Sequence, residues 1–338
     1  MIKIFLLAID NTSIAGLSGA LEIFNVANIL SNQQNPGTGP VFDCSVVTVD
    51  CKQLELCRGL RVDLGMGIHP YEQADAIVTT GFLYQSLDHL VEKIDRSKKT
   101  IDWIRKQYEQ GAFIGASCSG TVLLAETGLL DGKKTTTSWW LNNFFRKRYP
   151  EIELQIERLL VANERIFTGG AVVSYHNLIL SLIEKFAGKD LALSCSKMML
   201  IDINRSSQAP FVMLQSLLEN QDDIIIKAQY WISKHLHEKF ELQELADYLG
   251  ITYRTLIRRF KSAIGETPIQ FIQKCRIEAA KGLLETTNLN LDSIMEHVGY
   301  FDPSSFSLLF KRLTQLTPRE YRLRFSMTDR QSGIRSQA

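Results

Sequence analysis

Two stretches near the carboxyl end carry one pattern, LADYLGITYRTLIRRFKSAIGETP at residues 245–268 and SIMEHVGYFDPSSFSLLFKRLTQLTP at residues 293–318. Each copy has a glycine, Gly250 or Gly299, followed by a Phe-Lys pair and then by Thr-Pro. The proline lies eight residues beyond the phenylalanine in both copies, and one extra residue after Gly299 is the only shift in register. The repeat predicts two helix-turn-helix units, an arrangement typical of DNA-binding proteins.

The first copy predicts a recognition helix with an apolar face and a basic face. Gly250 suits the preceding turn, which needs a positive φ, and Thr252 is predicted to cap the helix. Leu256 and Phe260 are expected to face inward. The residues predicted to contact DNA are Arg254, Ile257, Arg258 and Lys261. A solvated helix face would look similar, but the repeat favours DNA reading, since arginine makes bidentate contacts with guanine.

The second copy predicts a recognition helix with fewer groups able to distinguish bases. Pro303 suits the first helical turn, and Asp302 can cap the helix. The residues predicted to contact DNA are Pro303, Ser304, Leu308, Lys311 and Arg312. Hydroxyl groups and cations bind phosphates without specifying a base, so this helix is expected mainly to anchor the protein.

Composition agrees with a soluble two-domain protein. The chain has 338 residues, of which 45% are hydrophobic and 22% charged, with a net charge of +1. Residues 227–338 contain 17 Lys and Arg against 12 Asp and Glu, which agrees with a nucleic-acid-binding end. The six cysteines include no C-x-x-C pair, so we predict reduced thiols, no metal and no cofactor.

The chain begins with a short apolar run, IFLLAI at residues 4–9. We interpret it as a buried strand rather than a signal peptide, because Asp10 and an amphipathic pattern follow directly. No run approaches the ~20 apolar residues of a membrane span. We therefore expect a cytoplasmic protein without a membrane partner.

The first two hundred residues alternate β-branched runs with helical patterns. Predicted strands are Lys3–Ile9, Cys44–Val49, Ala76–Thr80 and Ala112–Ala116, with a strand pair in Leu159–Thr168. Predicted helices are Ser18–Leu30, Ser86–Val91, Ile101–Gln110 and Tyr175–Phe186. This alternation predicts an α/β domain with a parallel sheet flanked by helices. We assign residues 1–205 to that domain, 206–222 to a linker, 223–325 to an all-α double helix-turn-helix domain, and 326–338 to a flexible tail.

Cys118 is the cysteine of the first domain whose sequence surroundings suit a nucleophile, and an inert buried thiol is the alternative. It lies between a predicted strand and the predicted helix Ser119–Glu126, with Ala116 and Gly120 as small neighbours. This layout is typical of a nucleophile elbow, and the helix N-terminus is expected to favour the thiolate. Catalysis would also need a base within hydrogen-bond reach.

The repeated copies closely resemble the AraC/XylS family of transcription regulators over about a hundred residues. In that family the two helices enter successive major grooves, about 34 Å apart. The resemblance gives base-contacting roles to Arg254, Ile257, Arg258, Pro303, Ser304 and Leu308. Family members usually have arginine at the position of Leu308, and Gln315 replaces a common glycine.

The run ASCSGTVLLAETGLLDGKKTTTSWW, residues 116–140, resembles the ThiJ/PfpI domain of the class I glutamine amidotransferase-like superfamily. More narrowly, residues 1–210 resemble GlxA-type regulators, which join that domain to an AraC-type tail. The resemblance implies a flavodoxin-like sheet, a homodimer and a small-molecule effector pocket. It places four residues in or near that pocket: Glu22, Cys118, Ser138 and Trp139. Trp140 is a further aromatic candidate.

The resemblance also indicates a binding domain rather than an enzyme. The family's usual histidine is replaced by Ser138, which cannot act as a general base at neutral pH. His69 and His176 match no catalytic position, so we predict no catalytic residue. Relatives include sensors of betaine-like amines and amino acids, and aromatic faces bind quaternary ammonium groups.

The sequence therefore predicts a sequence-specific transcriptional regulator controlled by a small amine or amino-acid-like effector. Its expected partners are double-stranded DNA, the effector and a second copy of the chain, with RNA polymerase as a further candidate. Two alternatives stay open. One is a cysteine-dependent hydrolase or glyoxalase-like enzyme fused to a DNA-binding domain, and the other is a constitutive DNA-binding protein with a merely structural first domain.

Overall fold

A computed structural model describes residues 1–49, 53–57, 60–63, 73–203, 205–211 and 222–326. The chain forms two compact units, Met1–Gln208 and Ala209–Ala338. Residues 206–208 of the predicted linker belong to the first unit and 209–211 to the second. Linker residues 212–221, tail residues 327–338 and His69 lie outside the described residues.

The first unit contains a central sheet and two small strand pairs among its described residues. Its strands are β1 (Ile2–Leu7), β2 (Phe42–Val47), β3 (Gln53–Cys57), β4 (Leu60–Asp63), β5 (Ala76–Thr79), β6 (Phe113–Ser117), β7 (Lys134–Thr135), β8 (Glu153–Leu154), β9 (Leu160–Asn163) and β10 (Ile166–Gly169). The central sheet has the order β2-β1-β5-β6-β10-β9. All its pairs are parallel except β9–β10, the predicted hairpin. The predicted α/β fold is confirmed, with a mixed rather than wholly parallel sheet.

Helices cover both faces of this sheet. They are α1 (Ile14–Gln34), α2 (Leu87–Arg96), α3 (Lys98–Glu109), α4 (Gly120–Glu126), α5 (Asn142–Arg148), α6 (Tyr175–Ala187) and α7 (Lys189–Met198), with short 3-10 turns at Trp139–Leu141 and Val172–Ser174. Side chains alternate along β1. Ile4 and Leu6 join a core with α1, α6 and α7, whereas Phe5 and Leu7 join a second core with α2, α3 and α4.

Helix α1 begins four residues earlier than predicted. Ser13 caps it by accepting the backbone N–H of Gly16 at 3.2 Å. By length and composition α1 would also fit a membrane span. Its Ala20, Ile23 and Phe24 are fully buried against the sheet, as in a core helix of a folded domain.

The second unit is helical throughout its described elements beyond residue 222. Its helices are α8 (Asp223–Lys234), α9 (Leu242–Tyr248), α10 (Tyr253–Ile264), α11 (Pro268–Thr286), α12 (Leu291–His297), α13 (Pro303–Thr314) and α14 (Pro318–Phe325). They enclose two separate cores. One lies between α8, α9, α10 and the first half of α11, and the other lies between the second half of α11 and α12 to α14. The sequence repeat is therefore also a repeat of cores.

Candidate DNA interface and a cavity beside Cys118

Helix α10 has the predicted apolar and basic faces. Thr252 accepts the backbone N–H of Thr255 at 3.2 Å and caps the helix, as predicted. Leu256 and Phe260 are fully buried. Of the predicted DNA contacts, Arg254, Arg258 and Lys261 are exposed and Ile257 is half-buried. The three cations therefore point away from the core on one helix, as a major-groove helix requires.

Arg259, on the same helix, has a structural role instead. Its guanidinium donates to both carboxylate oxygens of Asp222, at 2.8 and 3.0 Å, and so joins α10 to the start of α8. Desolvation raises the pKa of Asp222, but hydrogen bonds from the Ile225 backbone and Arg259 outweigh it, so this pKa lies below its usual value. Because of this ion pair, Arg259 differs in role from its exposed neighbours on α10.

Helix α13 repeats the geometry of α10 with different chemistry. Asp302 accepts the backbone N–H of Ser305 at 3.0 Å and caps the helix, as predicted. Phe306 and Phe310 are fully buried. The predicted contacts Pro303, Ser304, Leu308, Lys311 and Arg312 are all exposed. Leu308 is 72% exposed, and among base-edge groups its side chain can meet only an apolar one such as the thymine methyl.

The turns before the two recognition helices differ in their surroundings. Gly250 and Gly299 both have positive φ, +66° and +71°. A methyl group on Gly250 would meet no described atom within 4 Å. The same group on Gly299 would lie 2.6 Å from the carbonyl oxygen of Leu236 and 3.0 Å from a guanidinium nitrogen of Arg276. Only the second turn is packed against other backbone.

Arg276, in the middle of α11, connects the segment between α8 and α9 with the turn before the second recognition helix. Its Nε donates to the Leu236 carbonyl at 3.0 Å and its Nη2 to the Glu238 carbonyl at 2.7 Å. The guanidinium also lies 5.6 Å from the ring centre of Tyr300 and 5.9 Å from that of Phe240. Tyr300 precedes the second recognition helix, so one side chain contacts residues that pack on each of the two helical cores. Sequence reasoning missed this residue, because an arginine on a long helix looks solvated.

In the first unit, Cys118 occupies the predicted elbow between β6 and α4. Its φ of +57° is unusual for a residue with a side chain and costs about 1–2 kcal/mol. The elbow is stabilised by its backbone N–H, which donates to the Gly170 carbonyl at 2.9 Å. Ser138 donates its hydroxyl to the Cys118 sulfur at 3.0 Å. The predicted elbow is confirmed.

The surroundings of Cys118 shift the pKa of its thiol in the direction opposite to the prediction. The residue is only 7% exposed, and desolvation raises the pKa of its thiol. Hydrogen bonds from Ser138 and Ser119 lower this pKa by less. Burial therefore acts against the thiolate that the helix end was expected to favour. His176 packs on Tyr175, with ring centres 4.2 Å apart, and does not line the cavity described next.

A cavity of about 350 Å³ lies beside Cys118, where parallel strands of the sheet end. Three aromatic residues and several hydroxyl groups form much of its wall. The lining residues are Ser13, Gly16, Thr80, Gly81, Phe82, Leu83, Tyr84, Cys118, Ser119, Trp140 and Val172. None of these described lining residues is an acidic or basic side chain. The cavity is therefore neutral, aromatic and hydroxyl-rich.

The structure brings only part of the predicted effector pocket together. Glu22 is exposed on α1 and does not line the cavity. The α1 residue at the wall is Gly16, where a methyl group would lie 2.7 Å from the Thr80 hydroxyl. Ser138 is fully buried behind Cys118 and is not a lining residue. Of the predicted four, Cys118 alone forms part of the wall.

The two adjacent tryptophans also have different positions. Trp139 is half-buried and does not line the cavity, whereas Trp140 does. The Trp140 indole donates to the Tyr84 hydroxyl at 2.9 Å, which fixes two aromatic walls against each other. The rings of the two tryptophans meet edge to face at 4.9 Å. The aromatic contribution predicted for Trp139 therefore comes from its neighbour.

Comparison with known proteins gives matches to both units. Residues 33–185 match the DJ-1/PfpI family, and residues 245–324 match a helix-turn-helix domain. The chain is 24% identical over 319 residues to the HTH-type transcriptional regulator GbdR of Pseudomonas aeruginosa, covering 94% of this chain and 83% of that protein. It is 26% identical over 329 residues to the regulator CdhR of the same species, covering 96% and 89%.

A solved structure shows the same likeness. A proposed transcriptional regulator from Vibrio parahaemolyticus superimposes with a TM-score of 0.51 at 21% identity, covering 59% of this chain and 98% of that one. This likeness concerns the fold alone. The two family matches and the regulators matched along nearly the whole chain concern function as well. The chain is an AraC-family DNA-binding transcriptional regulator, with a DJ-1/PfpI domain followed by an AraC-type helix-turn-helix domain.

Proposed function

We propose that a small molecule binds in the cavity beside Cys118 and controls how the second unit binds DNA. The observation that carries this proposal is the neutral, aromatic cavity at the ends of the parallel strands. Its volume of about 350 Å³ is within the usual range for small-ligand pockets, and strand ends are where such folds bind ligands.

The lining favours a small amine or amino-acid-like effector bound without an ion pair. Phe82, Tyr84 and Trp140 offer aromatic faces, which attract quaternary ammonium groups. Ser13 and Ser119 offer hydroxyl groups for a polar substituent. An effector acts only if it binds two arrangements of the protein with different affinity.

On DNA, we propose that α10 reads sequence through Arg254, Ile257 and Arg258, with Lys261 on phosphate. Helix α13 anchors the protein through Ser304, Lys311 and Arg312, while Pro303 and Leu308 offer apolar contacts. The exposure of these side chains, all but the half-buried Ile257, supports the assignment. The proposal also includes a cytoplasmic homodimer that binds paired half-sites and can meet RNA polymerase there.

The effector is tested by thermal unfolding of the full chain with a panel of small amines and amino acids. A ligand at 100 times its dissociation constant adds about 2.7 kcal/mol of stability, which raises the melting temperature measurably. We expect Trp140→Ala to lose this shift and the matched variant Trp139→Ala to keep it. If no compound raises the melting temperature of the native protein, the result favours the alternative of a constitutive DNA-binding protein.

A cysteine-dependent enzyme is the second candidate, and the strained elbow at Cys118 favours it. We nevertheless expect hydrolysis of model esters and conversion of methylglyoxal to be no faster with native protein than with Cys118→Ala. The reason is a thiol whose pKa is raised by burial, with Ser138 rather than a base beside it. Turnover that Cys118→Ala abolishes would contradict the sensor interpretation.

A further inference from the structure

Residues 208–211 connect the two units covalently, and the segment is anchored at both ends. Gln208 belongs to the first unit and Ala209 and Pro210 belong to the second, and all three residues are buried. Three residues of chain span at most about 10 Å. Only a few backbone torsions therefore separate the buried Gln208 from the buried Pro210.

The anchor in the first unit is the side-chain amide of Gln208. Its Nε2 donates to the carbonyls of Thr137 and Ile156, both at 2.7 Å. Its Oε1 accepts the backbone N–H of Ala171 at 3.0 Å. Because the amide is buried, movement of these loops would leave polar groups without partners, which proteins avoid.

The same loops form the surroundings of the Cys118 cavity. The Thr137 hydroxyl donates to the Cys118 carbonyl at 2.9 Å, next to the backbone carbonyl that Gln208 binds. Val172, directly after Ala171, lines the cavity and is 51% exposed. A ligand that contacts Val172 or Cys118 therefore contacts direct neighbours of the residues that are hydrogen-bonded to Gln208.

The anchor in the second unit lies on the second helix-turn-helix. The Pro210 carbonyl is 3.4 Å from the Tyr321 hydroxyl, and the Phe211 ring packs edge-on against Phe325 with centres 5.1 Å apart. Tyr321 in turn packs on Phe310 of α13, with ring centres 5.5 Å apart. The chain thus enters this unit at the core behind the second recognition helix.

We propose that residues 208–211 are a regulatory strap. When a ligand occupies the Cys118 cavity, the hydrogen bonds of Gln208 change. The packing of Pro210 and Phe211 on α14 and α13 changes with them. That the signal is a ligand in the cavity rests on the proposed function. The strap itself transmits a structural change between Gln208 and α14 even when no ligand is bound. Because α13 carries few base-reading groups, the strap changes DNA affinity more than sequence preference.

The test is hydrogen–deuterium exchange on the full chain without ligand. Gln208→Ala should speed exchange in residues 169–172 and also, by at least about fivefold, in α14 of the other unit. Phe211→Ala, a milder change at a half-buried ring, should speed exchange in α14 and also in residues 169–172. The matched controls are Gln33→Ala and Leu323→Ala, both at exposed positions, which should alter neither region.

The strap is overturned if each substitution changes exchange only within its own unit. If Gln208→Ala does not fold, Phe211→Ala performs the same test in the opposite direction. This outcome is separate from failure of the proposed function, which the thermal-shift panel measures on native protein. A strap without an effector, or an effector without a strap, would each be recognised.

Discussion

Replacing Gly299 by alanine should destabilise the second unit by about 2–5 kcal/mol. The left-handed backbone costs about 1–2 kcal/mol for a residue with a side chain. Overlap adds about 1–3 kcal/mol, because the new methyl group would lie 2.6 Å from the Leu236 carbonyl, which is backbone and cannot turn away. Urea unfolding of the full chain, followed by circular dichroism, measures the loss.

The repeat supplies the control for this prediction. Gly250 has nearly the same φ, +66° against +71°, but no described atom within 4 Å of the added methyl group. Gly250→Ala should therefore cost only the backbone strain, about 1–2 kcal/mol. Equal losses in the two variants would mean that the turn at Gly299 is not packed against Leu236 as described.

Arg258→Ala should weaken binding to a selected operator by about 1–3 kcal/mol, roughly five- to 150-fold. The exposed guanidinium on α10 is suited to two hydrogen bonds with one guanine, so discrimination should relax at a single base pair. Competition binding with operators varied one base pair at a time measures both effects at a stated salt concentration.

The charge-matched control is Arg319→Ala, at an exposed position on α14 outside the recognition helices. It removes the same charge and should change affinity little. A uniform loss of affinity across all operators in Arg258→Ala, together with a shallower salt dependence, would show a phosphate contact instead.

Local chemistry made much of the fold predictable. Thr252 and Asp302 are cap residues followed by amphipathic runs, and both begin recognition helices. No apolar periodicity predicts helix α14, although Thr317 and Glu320 form a capping box around Pro318. Its short length hid its periodicity, and the capping signal alone would have found it.

The site depended on directions that a sequence does not display. Gly16 and Glu22 lie on one helix, but six residues turn it so that they point about 120° apart, and only Gly16 faces the cavity. Which of Trp139 and Trp140 lines the cavity depends on a 3-10 turn that no sequence pattern predicts. Their neighbourhood was predictable, and their orientation was not.

Two residues with long-range roles had no local signal. Gln208 lies in a polar stretch read as linker, yet it is fully buried among backbone groups some 50 to 70 residues earlier in the chain. Arg276 is bonded to carbonyls about 40 residues earlier. Such roles come from how distant segments meet, which propensity and spacing do not encode.

Helix α11 contributes one half of its length to each core and is unbroken over 19 residues. At 1.5 Å per residue it is a rod about 28 Å long, with no internal hinge between the two recognition helices. A helix of this kind requires the two contacted DNA segments to keep a fixed rotational position around the duplex. Five base pairs inserted between the two contacted segments would turn one of them to the far side of the duplex, about half of a 10.5-base-pair turn away. Ten would restore the facing but lengthen the span beyond the rod.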